Sequence, residues 1–119
     1  MKIYRKKELI EMKNPTPGER GRQIVLTEAQ NAKAMGGHFS ILPPGAMLPL
    51  HYHEKRESLI ILVSGEAIEI ADGQEHVVQA GDVIYIPAIE KHKIENRSKQ
   101  EVRYLEFFTP TKVDFIEVK

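Results

Sequence analysis

His51 and His53 flank Tyr52, and the carboxylate of Glu57 follows four positions after the second histidine. Side chains at i and i+2 of a β-strand leave the same face, so both imidazoles point one way. With the distant His92 added, these residues form a donor set that can grip a divalent metal ion. The chain has no cysteine, which removes disulfides, thiolate nucleophiles and thiolate ligands together. Imidazole and carboxylate remain, a combination suited to iron, manganese, cobalt, nickel, zinc or copper. Metal identity is not set by the donors alone. No nucleophile triad and no glycine-rich phosphate loop competes with this reading.

The scaffold has to be small and single. At 119 residues the chain is one domain, 1–119, long enough to bury a core without staples. Seventeen basic side chains balance seventeen acidic ones, which argues for neither nucleic acid nor an anionic membrane as partner. The start, Met1-Lys2-Ile3-Tyr4-Arg5-Lys6-Lys7, is basic but lacks a following apolar segment, so it does not read as a secretory signal. The longest apolar stretch, Leu59–Val63, is far too short to span a bilayer. A cytoplasmic location is the expectation.

Turn signals recur every six to twelve residues, the rhythm of an all-β sandwich or barrel. After an N-terminal arm over 1–20, strands are expected at Arg22–Leu26, Gly37–Leu42 and Met47–His53, the last irregular because of Pro49. Further strands are expected at Leu59–Val63, Glu66–Ala71, Glu75–Gln79, Val83–Ile86, Lys91–Glu95, Val102–Phe108 and Val113–Val118. Asp72-Gly73 is the strongest hairpin signal. Thr27 to Met35 reads as a loop or a helical turn. Leu59–Val63 is apolar on both faces and is expected to be buried on both. A closed barrel is the economical arrangement, since it hides sheet edges.

Two segments sharpen this picture. Gly45–Gly65 reads GAMLPLHYHEKRESLIILVSG, and Gly81–Asn96 reads GDVIYIPAIEKHKIEN. Together they resemble the two motifs of the cupin superfamily, matching the first at Gly45, His51, His53 and Glu57 and the second at Gly81, Pro87, His92 and Asn96. Fifteen residues separate Gly65 from Gly81, the shortest spacing common in that family. The resemblance implies a double-stranded β-helix (jelly-roll) barrel with one divalent metal on His51, His53, Glu57 and His92. Two departures stand out. Seven residues, where the motif has six, lie between Glu57 and Gly65, so either a bulge absorbs one or Ser58 takes the ligand position. Ile89 replaces the second glycine of the second motif, which suggests an altered turn.

The resemblance further implies action on a small organic molecule inside the barrel, most naturally dioxygenase-type oxidoreductase chemistry. Isomerase, epimerase or decarboxylase activity and a non-catalytic ligand-binding or sensor role are the alternatives. No catalytic residue is assigned. Tyr52 should point away from the metal. Tyr85, Phe39, Met47, Phe107 and Ile94 either line the cavity or pack the core, and Arg56 and Arg103 pair with an anionic substrate or with surface carboxylates. His38 and His76 have no motif support, although His38 begins a strand able to approach the site. Apolar residues on both faces of Leu59–Val63 and Val83–Ile86, together with the resemblance, lead to an expected homodimer.

Overall fold

The structure, a computed structural model, describes residues 1–26, 31–112 and 114–119. Of the expected Thr27–Met35 loop, positions 27–30 lie outside the described residues, as does Val113 of the expected last strand. The order of elements is α1 (Lys6–Glu11), β1 (Gly21–Leu26), β2 (Gly36–Leu42), β3 (His51–Tyr52), β4 (Glu57–Ser64), β5 (Glu66–Ala71), β6 (Gln74–Gln79), β7 (Val83–Ile86), β8 (His92–Glu95), β9 (Val102–Thr109) and β10 (Ile116–Glu117). The strands form two five-stranded sheets, ordered β1-β2-β9-β4-β7 and β10-β3-β8-β5-β6, with antiparallel pairing throughout. Sequence neighbours such as β2 and β3 lie in different sheets. This exchange makes a double-stranded β-helix.

Period-two patterning sets which side chains enter the barrel. Along β4, Ser58, Ile60 and Leu62 are buried while Glu57 and Leu59 are exposed. Leu42, Ile60, Leu62, Ile86, Ile94, Val102 and Tyr104 close one end of the interior as a dry cluster. The opposite end carries polar side chains. At Gly65, φ is +86° and an added Cβ would lie 2.6 Å from the Glu101 carbonyl oxygen, so only glycine fits where the chain turns from β4 into β5.

The N-terminal arm folds in a way that its composition did not suggest. α1 is one and a half turns long, too short to persist alone, and it is held on the outer face of the first sheet. Leu9 packs there with Val25, Phe39 and Ile41, with Phe107 partly buried beside them. Full burial of a leucine contributes about 2 kcal/mol. Arg103 donates to the Leu9 carbonyl at 2.7 Å and the Tyr4 hydroxyl donates to the Val25 carbonyl at 2.9 Å. Covered from both sides, β2 is buried along its whole length.

Several expectations need correction. The Met47–His53 strand shortens to His51–Tyr52, with Met47 making only an isolated bridge to Glu95. β4 is not buried on both faces: Leu59 is 44% exposed, because α1 covers only part of that sheet. Phe39 and Phe107 belong to the outer cluster under α1, Ile94 to the barrel core, and Met47 and Tyr85 face solvent. None of these five lines the main cavity. Arg103 anchors α1 and pairs with Glu101. Ile89 adopts φ +75°, so the motif's turn survives with a β-branched residue in the left-handed region, where it carries strain. Its N–H donates to the His53 carbonyl at 2.7 Å, tying the two motifs together.

Candidate metal centre

β3 pairs with β8 so that His51 lies directly opposite His92. His53, two residues beyond His51, shares its inward face. All three are buried, and their ring centroids are 4.2 Å (His51–His92), 5.1 Å (His51–His53) and 5.5 Å (His53–His92) apart. One ring nitrogen from each lies within 4.8 Å of the others.

Hydrogen bonds fix which nitrogen is available. His51 Nδ1 lies 2.8 Å from the Pro49 carbonyl oxygen, His92 Nδ1 lies 2.9 Å from that of Glu90, and His53 Nδ1 bonds the Asp114 carbonyl. A carbonyl only accepts, so each Nδ1 carries the proton and each Nε2 keeps a free lone pair. Burial, helped by the charges of the other two histidines, lowers the His51 pKa to about 4, and burial lowers that of His92 as well. Both shifts favour the neutral imidazole that a metal ligand must be. Three unprotonated Nε2 atoms, oriented by carbonyl partners, fit a divalent transition metal. Phe115 stacks on His51 at 4.2 Å. The Asp114 carboxylate accepts the backbone N–H groups of Glu54, Lys55 and Arg56, which pins the C-terminal segment beside the site.

Glu57 is not brought to the triad. It is exposed at the start of β4, where it accepts a 2.8 Å hydrogen bond from the Tyr85 hydroxyl. Ser58 is the residue that turns inward, so the extra residue before Gly65 leaves a serine where the motif has its carboxylate. Tyr52 lies away from the cluster, beside Ile116 and Ile89 on the surface.

The inward carboxylates come from elsewhere. Glu106 on β9 is buried and lines the same cavity as His51 and His53. Burial alone would raise its pKa; the hydrogen bond and charge of His38, with Ser58 and Arg20, hold it down to about 2. His38 Nε2 is 3.5 Å from Glu106 and 3.2 Å from an Arg20 Nη, and Arg20 also donates to Ser40 at 3.1 Å. Glu69 on β5 is only 4% exposed, and neither of its carboxyl oxygens has a hydrogen-bond partner among the described residues. Burial, reinforced by the charges of Glu106 and Glu90, pushes its pKa up to about 8. Among these residues, only His38 had a sequence signal, its place at the start of a strand. Glu106 was missed because it reads as the polar half of an alternating strand.

Two cavities meet the histidines. The larger, about 520 Å³, is lined by His51 and His53, by Arg20, Arg22, Arg56, His38 and Glu106, and by apolar residues including Ile24, Leu48, Phe108 and Phe115. Gly36 lets the Phe108 ring reach this wall, since a Cβ there would lie 2.2 Å from it. The smaller, about 300 Å³, is lined by His92, Glu69, Glu90, Tyr85 and their neighbours on β6 and β7.

Comparison with known proteins places this arrangement. An oxalate-binding protein of Thermotoga maritima is 33% identical over 82 residues, covering 69% of this chain and 68% of that protein. The oxalate decarboxylase of Bacillus subtilis, which has Mn(II) centres, superposes with a TM-score of 0.74 at 25% identity; 92% of this chain covers 31% of that enzyme. A double-stranded β-helix protein of Klebsiella pneumoniae superposes with a TM-score of 0.80 over 100% of this chain and 99% of that one, at 21% identity, a likeness of fold alone. The family description that matches residues 38–108 is that of the cupin domain. The chain belongs to the cupin family.

Proposed function

We propose that this cupin holds one divalent transition metal on His51, His53 and His92 and acts on a small organic acid bound beside it. The observation that carries the reading is the meeting of three free Nε2 atoms with a cavity that also holds three arginines. Similarity to an oxalate-binding protein and to a manganese-containing oxalate decarboxylase supports both the metal and the acid.

A metal held there would act as a Lewis acid on an oxygen of the bound molecule. The chain's own groups do the rest. Arg20 and His38 keep Glu106 ionised on the cavity wall, where a carboxylate can accept a proton from a ligand within hydrogen-bond reach. Phe115 and Phe108 shield the histidine side from bulk water. Dioxygenase-type oxidation, the expectation from the family resemblance, is one reaction this arrangement can serve, and loss of carbon dioxide from the acid is another. A second copy of the chain is proposed to cover the exposed Leu59, Tyr85 and Val83 on neighbouring β4 and β7, and light scattering should find a dimer at micromolar concentration.

The test begins with the metal. Protein purified without a histidine tag and reconstituted with manganese, iron, nickel or zinc should retain close to one equivalent, and the His51→Ala/His92→Ala variant should fold yet retain almost none. Retention by wild type below about a tenth of an equivalent would defeat the reading, because a triad preorganised by its carbonyl partners should bind strongly. Oxygen uptake and carbon dioxide release with a panel of carboxylic acids would then separate oxidation, decarboxylation and simple binding.

A further inference from the structure

The larger cavity contains more than a metal-bound oxalate would need. Its three arginines are not equivalent. Arg20 is bonded to His38 and Ser40 and its charge acts on Glu106, although its own Nε is also buried without a partner among the described residues. Arg56 is held in place by the Thr111 and Lys112 carbonyls, at 3.2 and 2.8 Å, and by the Phe108 ring, 3.8 Å beneath its guanidinium. Its Nε is buried without a partner among the described residues. The carboxylates of Glu106 and Asp114 bear on the Arg56 charge, and so does Arg22, which lines the same cavity from β1. Two guanidinium groups are thus set at one cavity wall, and one of them keeps an unused N–H that is expensive to leave unpaired. The rest of that wall is apolar: Ile24, Leu48 and Phe115.

We propose that the cavity takes an amphipathic organic anion, its carboxylate or phosphate clamped by Arg22 and Arg56 and its apolar body lying against Ile24, Leu48 and Phe115. This rests on the reading of the cavity as the ligand site of the metal centre. The guanidinium fork matches either anion with paired N–H donors. A volume of about 520 Å³ falls in the range that encloses molecules well above oxalate in size, and the apolar wall gives oxalate nothing to contact. The selected ligand is therefore a larger acid with one polar end at the arginines and room for a second at His51 and His53.

Titration calorimetry on the full chain, with and without bound manganese, tests this with four probes: phenylpyruvate, phenyl phosphate, oxalate and the neutral phenylacetamide. Phenylpyruvate or phenyl phosphate should bind wild type more tightly than oxalate, by about tenfold or more, and phenylacetamide should not bind. The tighter of the two names the anion class. Arg22→Gln and Arg56→Lys should each weaken that binding by about tenfold or more, the second because an ammonium keeps the charge and loses the fork. Arg97→Gln, which removes a surface charge paired with Glu75 and Glu95, should leave it unchanged. Circular dichroism and metal content of each variant confirm that fold and triad persist. Equal or tighter binding of oxalate, no probe binding at millimolar concentration, or wild-type affinity in both cavity variants would overturn the proposal. If wild type binds no metal but the metal-free protein still shows arginine-dependent binding, the metal reading fails and the anion site stands.

Discussion

The two cavities beside the histidines are built from the same barrel and differ in charge. The larger presents Arg20, Arg22 and Arg56 against the single carboxylate of Glu106. The smaller presents Glu69 and Glu90, and its lining holds no lysine or arginine among the described residues. Both carboxylates that face the interior are buried, yet they take opposite protonation states. Glu106 has the hydrogen bond and charge of His38, with the more distant charge of Arg20, and these outweigh its burial; Glu69 has no partner, so burial dominates and it holds its proton at pH 7. The contrast shows that burial alone does not decide the charge of an interior carboxyl group. The arginines thus stand on one side of the histidines only.

Removing either carboxylate should split the two sides, with the larger effect at Glu106. Glu106→Gln replaces the carboxylate beside His38 with a neutral amide and should cost about 3 kcal/mol at pH 7, measured by urea unfolding. Because the folded Glu106 pKa lies below its unfolded value, its contribution is complete above about pH 4.5 and is lost as pH falls toward 2. The gap between variant and wild type should therefore close in acid. A gap that stays constant down to pH 2 would mean that Glu106 acts through packing and not through charge.

Glu69→Gln should do the reverse and stabilise the protein at pH 7 to 8, on the order of 2 kcal/mol. The folded Glu69 pKa is raised, so between about 4.5 and 8 the folded state holds a proton that the unfolded state has released, and stability falls as pH rises across that window. The gain from the amide should shrink as pH falls from about 8 and be gone near 4.5. Destabilisation at pH 8 would instead indicate that the ionised carboxylate has an unrecognised partner.

On the acid side the metal-free triad adds its own dependence. His51 titrates near 4 in the folded state and near 6.5 unfolded, so stability declines as pH falls from 6.5 to 4. His51→Ala should flatten that limb of the stability profile, and an unchanged limb would remove His51 as its source.

Glu57→Gln, outside both cavities, should have the smallest effect: unchanged metal content and a stability change within about 0.5 kcal/mol, since it alters one exposed hydrogen bond to Tyr85. Loss of metal in this variant would return Glu57 to the ligand set and require β4 to shift by one residue.

The distance over which each feature is encoded explains what could be read ahead. His51 and His53 are two residues apart on one strand, so a local rule placed them on one face, and turn glycines such as Gly65 and Gly81 located the strand ends. His92 was found only through the second motif. Glu57 was misassigned because one additional residue before Gly65 reverses which neighbour points inward, and only pairing with β7 and β9 shows that Ser58 does. Arg20, His38 and Glu106 lie on separate elements whose meeting no local pattern records.

By itself, then, the sequence determined the strand rhythm and the shared face of His51 and His53, because alternation and turn chemistry act within a few residues, while His92 and the barrel class followed from the resemblance of the two motifs. Tertiary structure alone decided which carboxylates face the interior, which of them is charged, and that Arg20 and Arg22 at the start of β1 meet Arg56, just before β4, on one side of the histidines. Those outcomes depend on burial and on partners brought together across the barrel, and both exist only once the sheets have closed.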